Sequence, residues 1–273
     1  MSTTSIRTIK DVPFLVFNEF VKIPWLIHGL STRDGGISTG YRSSMNLGFG
    51  NGDDPDKVKA NYKTIGEAIG FTPDEIILPH QIHSSKVISV TKEDRGYGVT
   101  RPFKYEADGC VTDNPRVILA VNYADCVPLF FVDPIHRAIG TAHSGWKGTV
   151  AKIGEKTIRK MQECFGSKPS ELLAGIGPSI CQDCYEVSED VIEQIRQGSP
   201  PDVWPFLYRP GKQEGKYQLN LWETNRRILL EAGVEPGHIL CANLCTCCHP
   251  RMLFSHRYTG GKRGTMAGFL GIA

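Results

Sequence analysis

Two histidines and one cysteine stand beside predicted β-strands, and imidazole and thiolate groups are common zinc ligands. His83 precedes the strand KVISV, Cys126 lies between the apolar runs RVILAVNY and VPLFFVD, and His143 ends the run RAIGTAH. Their separations match no zinc-ribbon spacing, but catalytic metal sites often draw ligands from separate strand ends. We therefore expect a His₂Cys site with an open fourth position. His80 is the alternative first ligand, and Asp125 is a candidate hydrogen-bond partner of the ligands.

The same side chains also suit a chemistry that needs no metal. Cys126 would act as a nucleophile with His143 as its base, because a neighbouring imidazole activates a thiol. A third interpretation assigns no chemistry, since buried cysteines and hydrogen-bonded histidines are common in protein cores. The spacing of the residues leaves all three interpretations open.

Cysteines are concentrated in two further segments, CQDC at 181–184 and CTCCHP at 245–250. They would supply a closed structural zinc site, although the crowding in C-x-C-C-H departs from paired zinc knuckles. The alternative is a set of reduced thiols packed beside the core. The chain has nine cysteines, and an odd number without an export signal argues against a disulfide framework.

Short apolar runs and amphipathic segments together predict the fold class. The runs KVISV, RVILAVNY, VPLFFVD, RAIGTAH and LLAGIGP are rich in β-branched residues and predict strands. Apolar spacing predicts helices between Asp54 and Gly70, over 149–165, after Ser188 and after Asn220. Because the strands mostly follow one another and do not alternate strictly with helices, the pattern favours an α+β fold.

Polar residues on glycine-rich loops are candidates for binding an anion. Arg33 lies in STRDGGIS, Asn46 in SSMNLGFGNGDDP, and Arg257, Lys262 and Arg263 in SHRYTGGKRGTMAG. Arginine binds phosphate through paired N–H groups, and a helix N-terminus offers unpaired N–H groups. We expect Arg33, Asn46 and Arg257, with the start of the 149–165 helix, to bind substrate or phosphate.

The charge balance excludes some classes of partner. The chain has 31 basic and 29 acidic residues, a net charge of +2 at pH 7, which provides no strong field for nucleic acid or an anionic membrane. No run approaches the roughly 20 apolar residues of a membrane span, and the N-terminus lacks the apolar segment of a signal peptide. We expect one domain over residues 1–273, in the cytoplasm, as a monomer or small homo-oligomer.

Several sequence blocks resemble those of the family named for a multicopper polyphenol oxidoreductase, or laccase, domain. In the family's order they are HGLSTRDGGIS, SSMNLGFGNGDDP, QIH, ADGCVTD, ADCVPLFFVDP, AHSGWKG, GPSICQDCYEV and FSHRYTGGKRGTMAG, and they cover nearly the whole chain. The resemblance implies a metal triad at His83, Cys126 and His143. It also implies a single α+β domain of packed mixed β-sheets with helices outside, distantly similar to Cys-His deamidating toxins.

Within that family the chain is similar to bacterial purine nucleoside phosphorylases that also deaminate adenosine, with relatives described as peptidoglycan editing factors. The resemblance implies zinc-dependent phosphorolysis of adenosine, inosine, guanosine or methylthioadenosine to the base and ribose 1-phosphate, with purine nucleosides and phosphate as partners. Adenosine deamination would use a zinc-activated water, with a pKa near about 7, that attacks C6. The alternatives are a Cys-His amidase that edits peptidoglycan precursors and a non-catalytic zinc-binding module.

Two features of the sequence bear on the ligands that this family implies. Multicopper oxidases need about ten imidazole ligands in H-x-H pairs, because copper(II) favours nitrogen donors. The chain has eight histidines and no H-x-H pair, so Zn²⁺ is the expected cofactor and a copper polyphenol oxidase is disfavoured. Where relatives often read R-D-G-G-K-T-G-R, the chain reads RYTGGKRGT. Arg257 matches, but Thr265 replaces the last arginine and Arg263 lies two places earlier.

Overall fold

Two six-stranded sheets and one three-stranded sheet form the framework of the computed structural model, which describes residues 2–273. The strands in chain order are β1 (Thr4–Ile9), β2 (Val12–Phe17), β3 (Leu26–Ser31), β4 (Ile76–Ile77), β5 (Val87–Ser89), β6 (Gly109–Thr112), β7 (Ile118–Tyr123), β8 (Val127–Asp133), β9 (Ala138–Ser144), β10 (Leu173–Ile176), β11 (Glu186–Ser188), β12 (Tyr208–Pro210), β13 (Lys216–Leu219), β14 (Ile239–Cys241) and β15 (Met266–Ile272). The α-helices are α1 (Pro55–Ile69), α2 (Trp146–Val150), α3 (Ile153–Phe165), α4 (Glu189–Gln197), α5 (Trp204–Leu207), α6 (Leu221–Glu231) and α7 (His256–Thr259).

The sheets combine parallel and antiparallel pairs. The first sheet has the order β1-β2-β3-β15-β7-β4, the second β14-β10-β8-β9-β6-β5, and the third β11-β13-β12. The pairs β4 with β7, β5 with β6 and β10 with β14 are parallel, and the other pairs are antiparallel. The α+β class with mixed sheets and helices is therefore confirmed. The distant similarity to Cys-His deamidating toxins stays a prediction.

The two large sheets pack against each other. Because successive side chains of a strand point to opposite faces, one strand contributes to the core clusters on both sides of its sheet. In β8, Phe130 and Val132 belong to the core cluster that also contains Leu119 of the first sheet. Leu129 and Phe131 of the same strand belong to the cluster formed with α3, α4 and α6. Helix α1 covers the outer face of the first sheet. The site described below lies at the ends of strands in these layers.

Three predicted helices form where the sequence places them. Helix α1 begins after Asp54, whose side chain caps it, and ends at Gly70 in the left-handed conformation. Helices α4 and α6 begin after Ser188 and Asn220. Among residues 2–273, no helix combines the length and the apolar character that crossing a membrane requires.

The prediction of one continuous helix over 149–165 is wrong. The chain forms α2 and α3, which are separated at Lys152, where φ is 53°. This left-handed conformation interrupts the helix, and a lysine gives no sequence signal for it. The helix start that follows His143 therefore belongs to the short helix α2.

Three strands form in the N-terminal segment, where none was predicted. β1 and β2 make a hairpin whose turn contains Lys10 and Asp11, both with positive φ. β3 pairs with the C-terminal strand β15. The two ends of the chain therefore share one sheet, and the loops that follow β3 and precede β15 come close together.

Candidate active site

The predicted metal ligands meet at one end of the second sheet because β8 and β9 are antiparallel neighbours. Pro128 in β8 is paired with His143 in β9, so Cys126, which precedes β8, lies beside the end of β9. β6 also runs antiparallel to β9 and begins at Gly109, which places Asp108 at the same end. Strand pairing thus brings together residues that are far apart in the sequence.

His83 lies in the loop between β4 and β5, with a φ of 59°. The Asp108 carboxylate holds this loop by accepting the backbone N–H groups of residues 82–84 at 2.6–3.2 Å. The Gln81 side chain exchanges two hydrogen bonds with the backbone of Asn122, at 2.7 and 2.8 Å. The loop that carries His83 is therefore fixed to both large sheets.

The ligand atoms of His83, Cys126 and His143 all lie within 4.8 Å of one another. The two imidazole rings are nearly perpendicular, at 85°, with their centroids 4.8 Å apart. Nδ1 of His143 lies 3.0 Å from the Asp108 carboxylate, which leaves Nε2 free to bind a metal. A Cβ atom at Gly145 would lie 3.0 Å from the Cys126 sulfur, so a larger residue in this turn would crowd that sulfur. The three donors fit a zinc ion.

Charges within this group favour the thiolate form of Cys126. Burial opposes its ionisation, but the charges and hydrogen bonds of His143 and His83 outweigh burial and lower the Cys126 pKa to about 6. Burial also opposes protonation of His143, yet Cys126 and Asp108 raise its pKa to about 9. For Asp108, hydrogen bonds from His143 and Ser84 outweigh burial and lower the pKa to about 2. The thiolate is both the metal-binding and the nucleophilic form of cysteine.

A cleft of about 530 Å³ opens beside the three ligands. This volume lies within the range of about 300–1,000 Å³ that is usual for small-molecule sites. Among residues 2–273, no fourth donor belongs to the ligand group, so a tetrahedral ion would keep one position free. Other residues of the lining include Phe49, His80, Phe103, Tyr123 and Arg263.

Two buried donors in the wall of this cleft have no hydrogen-bond partner among residues 2–273. They are the Tyr123 hydroxyl and the Nε of Arg263. Arg263 donates through Nη1 to the Gly264 carbonyl at 3.0 Å and to the Thr265 hydroxyl at 2.8 Å. Burial lowers the Arg263 pKa, but a guanidinium stays protonated in proteins. An unpaired buried donor costs free energy, and neither atom is accessible from the cleft in this structure.

The predicted substrate residues Arg33, Asn46 and Arg257 are not part of the cleft lining. The Arg33 guanidinium donates to two backbone carbonyls at 2.6–3.1 Å. Arg257 lines a separate cavity of about 360 Å³. Asn46 is buried, and its Oδ1 accepts the backbone N–H groups of Gly48 at 3.1 Å and Thr265 at 2.9 Å, two residues of the lining. Asn46 thus shapes the wall, and direct binding by the three residues stays a prediction.

The carboxylate that contacts the predicted ligands is Asp108, whereas Asp125 was the candidate named from the sequence. Asp125 instead accepts hydrogen bonds from the Thr246 hydroxyl and the Arg257 backbone N–H, both at 2.6 Å. His80, the alternative first ligand, lies in the cleft wall outside the group of three donors. The sequence signals for Asp108 were its place before a short apolar run and its membership of the block ADGCVTD, and its contact with His143 appears only when β6 pairs with β9.

The fold and the site define a class of α+β proteins with three potential metal ligands at the end of a mixed sheet. The family model described as multi-copper polyphenol oxidoreductase laccase matches residues 27–273, and the chain belongs to this family. The resemblance that the sequence blocks indicated is therefore confirmed.

Named relatives and a solved structure match over most of the chain. Purine nucleoside phosphorylase YlmD of Bacillus subtilis is 36% identical over 249 residues, which are 90% of this chain and 88% of that protein. Adenosine deaminase RL5, from an unknown prokaryotic organism, is 31% identical over 229 residues, 81% of this chain and 84% of that protein. The crystal structure of YlmD from Geobacillus stearothermophilus has a TM-score of 0.92 and 34% identity, and the match covers 100% of this chain and 99% of that one.

Proposed function

We propose that this protein is a zinc-dependent enzyme that acts on purine nucleosides, by phosphorolysis and by adenosine deamination. The observation that carries the proposal is the convergence of His83, Cys126 and His143 on the wall of a cleft large enough for a nucleoside. The names of the two relatives, a purine nucleoside phosphorylase and an adenosine deaminase, support the same substrate class.

The donor set supports Zn²⁺ over copper as the cofactor. Two imidazoles and one thiolate suit tetrahedral zinc, and among residues 2–273 no methionine lines the cleft as the weak axial ligand of a blue-copper site. When bound, zinc supplies a Lewis acid that lowers the pKa of water toward about 7. Asp108 fixes the ring of His143 and the backbone of His83, so these ligands are oriented by the protein itself.

Aromatic side chains in the cleft offer a surface for the purine base. Phe49 and Phe103 both belong to the lining, and Phe103 is 44% exposed. Stacking of a base on an aromatic ring contributes about 1–3 kcal/mol. The base would stack on one of these rings while the reacting atoms of the nucleoside face the three ligands.

Arg263 is the proposed phosphate-binding residue. In phosphorolysis, a phosphate oxygen forms a bond to the sugar C1′ while the bond from C1′ to the purine N9 breaks, and the departing base takes up a proton. The Arg263 guanidinium, which lines the cleft, would hold the phosphate through charge-assisted hydrogen bonds. In deamination, water replaces the amino group at C6 and ammonia leaves. That reaction requires no phosphate, so the two activities differ in their need for Arg263.

The experiment that tests this function incubates the purified, zinc-loaded protein with adenosine, with and without phosphate, and resolves the products by chromatography. Inosine alone demonstrates deamination, and free base with ribose 1-phosphate demonstrates phosphorolysis. Cys126→Ser should abolish both, whereas Cys164→Ser, at an exposed cysteine outside the cleft, should keep both. Absence of turnover of adenosine, inosine and guanosine contradicts the proposal and supports a non-catalytic zinc-binding module.

The geometry of Cys126, His143 and Asp108 supports a second candidate, a thiol amidase acting on peptidoglycan precursors. These residues can serve as thiolate nucleophile, proton donor and orienting carboxylate, because the Cys126 pKa is lowered to about 6, the His143 pKa is raised to about 9, and Asp108 contacts Nδ1 of His143. The thiolate would add to an amide carbonyl, the amine would leave with a proton from His143, and water would release the acyl group. Activity that survives chelation but not alkylation of Cys126 supports this candidate, whereas activity that chelation abolishes and zinc restores rejects it.

A further inference from the structure

We propose that a second ion, a structural zinc, binds to four cysteines outside the cleft. The sulfur atoms of the four-cysteine group, which consists of Cys181, Cys184, Cys245 and Cys248, all lie within 4.8 Å of one another. Cys181 and Cys184 form one C-x-x-C pair, and Cys245 and Cys248 form another. The second pair is hard to see in the sequence CTCC because Cys247 lies between its members. Two C-x-x-C pairs that meet in space form a common ligand set for closed zinc sites.

Backbone pairing brings the two halves of the four-cysteine group together. The Ser179 N–H donates to the Leu244 carbonyl, and the Thr246 N–H donates to the Ser179 carbonyl, both at 3.2 Å. Ser179 and Cys245 accordingly form a parallel bridge. The two chain segments therefore lie side by side where each pair of cysteines begins, and the pairing does not depend on the cysteine side chains.

The distances between sulfur atoms suit one shared metal ion. The Cys184 sulfur lies 3.5 Å from that of Cys248, and the Cys181 sulfur lies 3.9 Å from it. Tetrahedral zinc with Zn–S bonds of about 2.3 Å separates its sulfur ligands by about 3.8 Å. A disulfide requires about 2.05 Å. The two separations are close to those that a single tetrahedral zinc ion would impose, and too long for a disulfide.

Hydrogen bonds to Cys245 also suit a thiolate ligand. Its sulfur accepts the backbone N–H groups of Cys181 at 3.3 Å and Cys248 at 3.4 Å. Such donors stabilise a negatively charged sulfur. Because all four positions of a tetrahedral ion would be filled by protein, this site offers no place for water or substrate, and the ion would stabilise structure.

Asp125 links the four-cysteine group to the candidate active site. The Ile180 N–H donates to the Asp125 carbonyl at 3.0 Å, and the Thr246 hydroxyl donates to its carboxylate at 2.6 Å. Asp125 has a φ of 91°, an uncommon conformation for a residue other than glycine, and it directly precedes Cys126. An ion in the four-cysteine group would fix both segments that hold Asp125, and would thereby fix the position of Cys126.

The test is the zinc content of protein purified under reducing conditions, measured by mass spectrometry of the metal. The double variant Cys184→Ser/Cys248→Ser should contain about one zinc per chain less than the wild type, whatever the occupancy of the cleft site. His83→Ala should retain the zinc of the four-cysteine group, and Cys164→Ser should match the wild type. Equal zinc content in the wild type and the double variant overturns the proposal.

A second measurement on the wild-type chain covers the case in which the double variant does not fold. A thiol reagent should modify the four cysteines slowly and release zinc in step, as detected by a metal indicator. Cobalt substitution should give the strong visible absorption of a tetrahedral tetrathiolate site, and His83→Ala should retain it. Immediate modification of these cysteines without metal release, or a disulfide among them in the purified protein, contradicts the proposal.

Discussion

Asp108 and His143 form a buried carboxylate–imidazole pair, with 3.0 Å between Oδ1 of Asp108 and Nδ1 of His143. The same carboxylate accepts the backbone N–H groups of residues 82–84. One carboxylate therefore sets the ring orientation of one predicted ligand and the loop conformation of the other. The geometry of the ligand group depends on a residue that does not belong to the group itself.

Asp108→Asn is expected to weaken zinc binding at the candidate active site by about 10- to 100-fold. The amide replaces one acceptor oxygen with a donor that faces backbone N–H groups, and it removes the charge that orients the His143 imidazole. The measurement is the zinc concentration needed for half-maximal turnover of adenosine, starting from chelated protein.

Asp133→Asn is the matched control for that variant. Asp133 is buried, lies 2.8 Å from Nδ1 of His136, and accepts two backbone N–H groups at 2.9 and 3.0 Å. It stands at the end of β8 opposite to Cys126. Asp133→Asn should lower the stability of the fold without raising the zinc concentration needed for half-maximal turnover. If both variants require the same increase in zinc, Asp108 acts only through folding.

Arg263→Gln is expected to raise the KM for phosphate by about 10- to 100-fold, because hydrogen bonds to charged groups contribute about 1.5–3 kcal/mol. Adenosine deamination without phosphate should change much less. Steady-state kinetics of both reactions measure the difference. Arg33→Gln and Arg257→Gln test the two arginines that the sequence favoured. If either of these variants raises the KM for phosphate and Arg263→Gln does not, phosphate binds at the arginine that was predicted from the sequence.

Phe103→Ala is expected to raise the KM for nucleosides by about 10-fold, since the lost stacking contributes about 1–3 kcal/mol. The KM for phosphate should change little. Phe206→Ala is the control, because Phe206 is 56% exposed and is not part of the cleft lining. If Phe103→Ala leaves the KM for nucleosides unchanged and Phe49→Ala raises it strongly, the base stacks on Phe49 and not on Phe103.

The three residues could be named as candidate ligands because few side chains bind zinc and each stands beside an apolar run, but the resemblance to the laccase-domain family selected them over the alternatives. Their convergence follows from the pairing of β8 with β9 and from the loop that carries His83. Asp108 could not be recognised in this way, because its contact with His143 depends on the pairing of β6 with β9. That these residues bind a metal stays a prediction.

Local signals predicted helix ends more reliably than helix continuity. Asp54 and Gly70 bound α1 as expected, because a capping side chain and a glycine with positive φ act over a few residues. The apolar spacing continues through Lys152, so the break between α2 and α3 left no trace in the pattern. In the same way, Cys247 concealed the second C-x-x-C pair until the structure separated it from Cys245 and Cys248.

Protonation of His28 is expected to make the fold less stable as the pH falls from about 6.5 toward 4. His28 is buried in β3, its Nε2 accepts the Phe17 N–H at 3.1 Å, and burial lowers its pKa from 6.5 to about 4. Between these two values the unfolded chain binds the proton and the folded chain does not. Neutral His28 therefore makes its full contribution to the free energy of unfolding above about pH 6.5. This contribution falls by about 3 kcal/mol in total as the pH falls to about 4.

Urea unfolding of the wild type and of His28→Gln at a series of pH values measures this contribution. The glutamine oxygen can accept the Phe17 N–H but does not titrate, so the variant should lose about 3 kcal/mol less than the wild type between pH 6.5 and 4. His80→Gln, at an exposed histidine, should follow the wild type. Parallel pH profiles for the wild type and His28→Gln would mean that His28 becomes protonated in the folded protein as easily as in the unfolded chain.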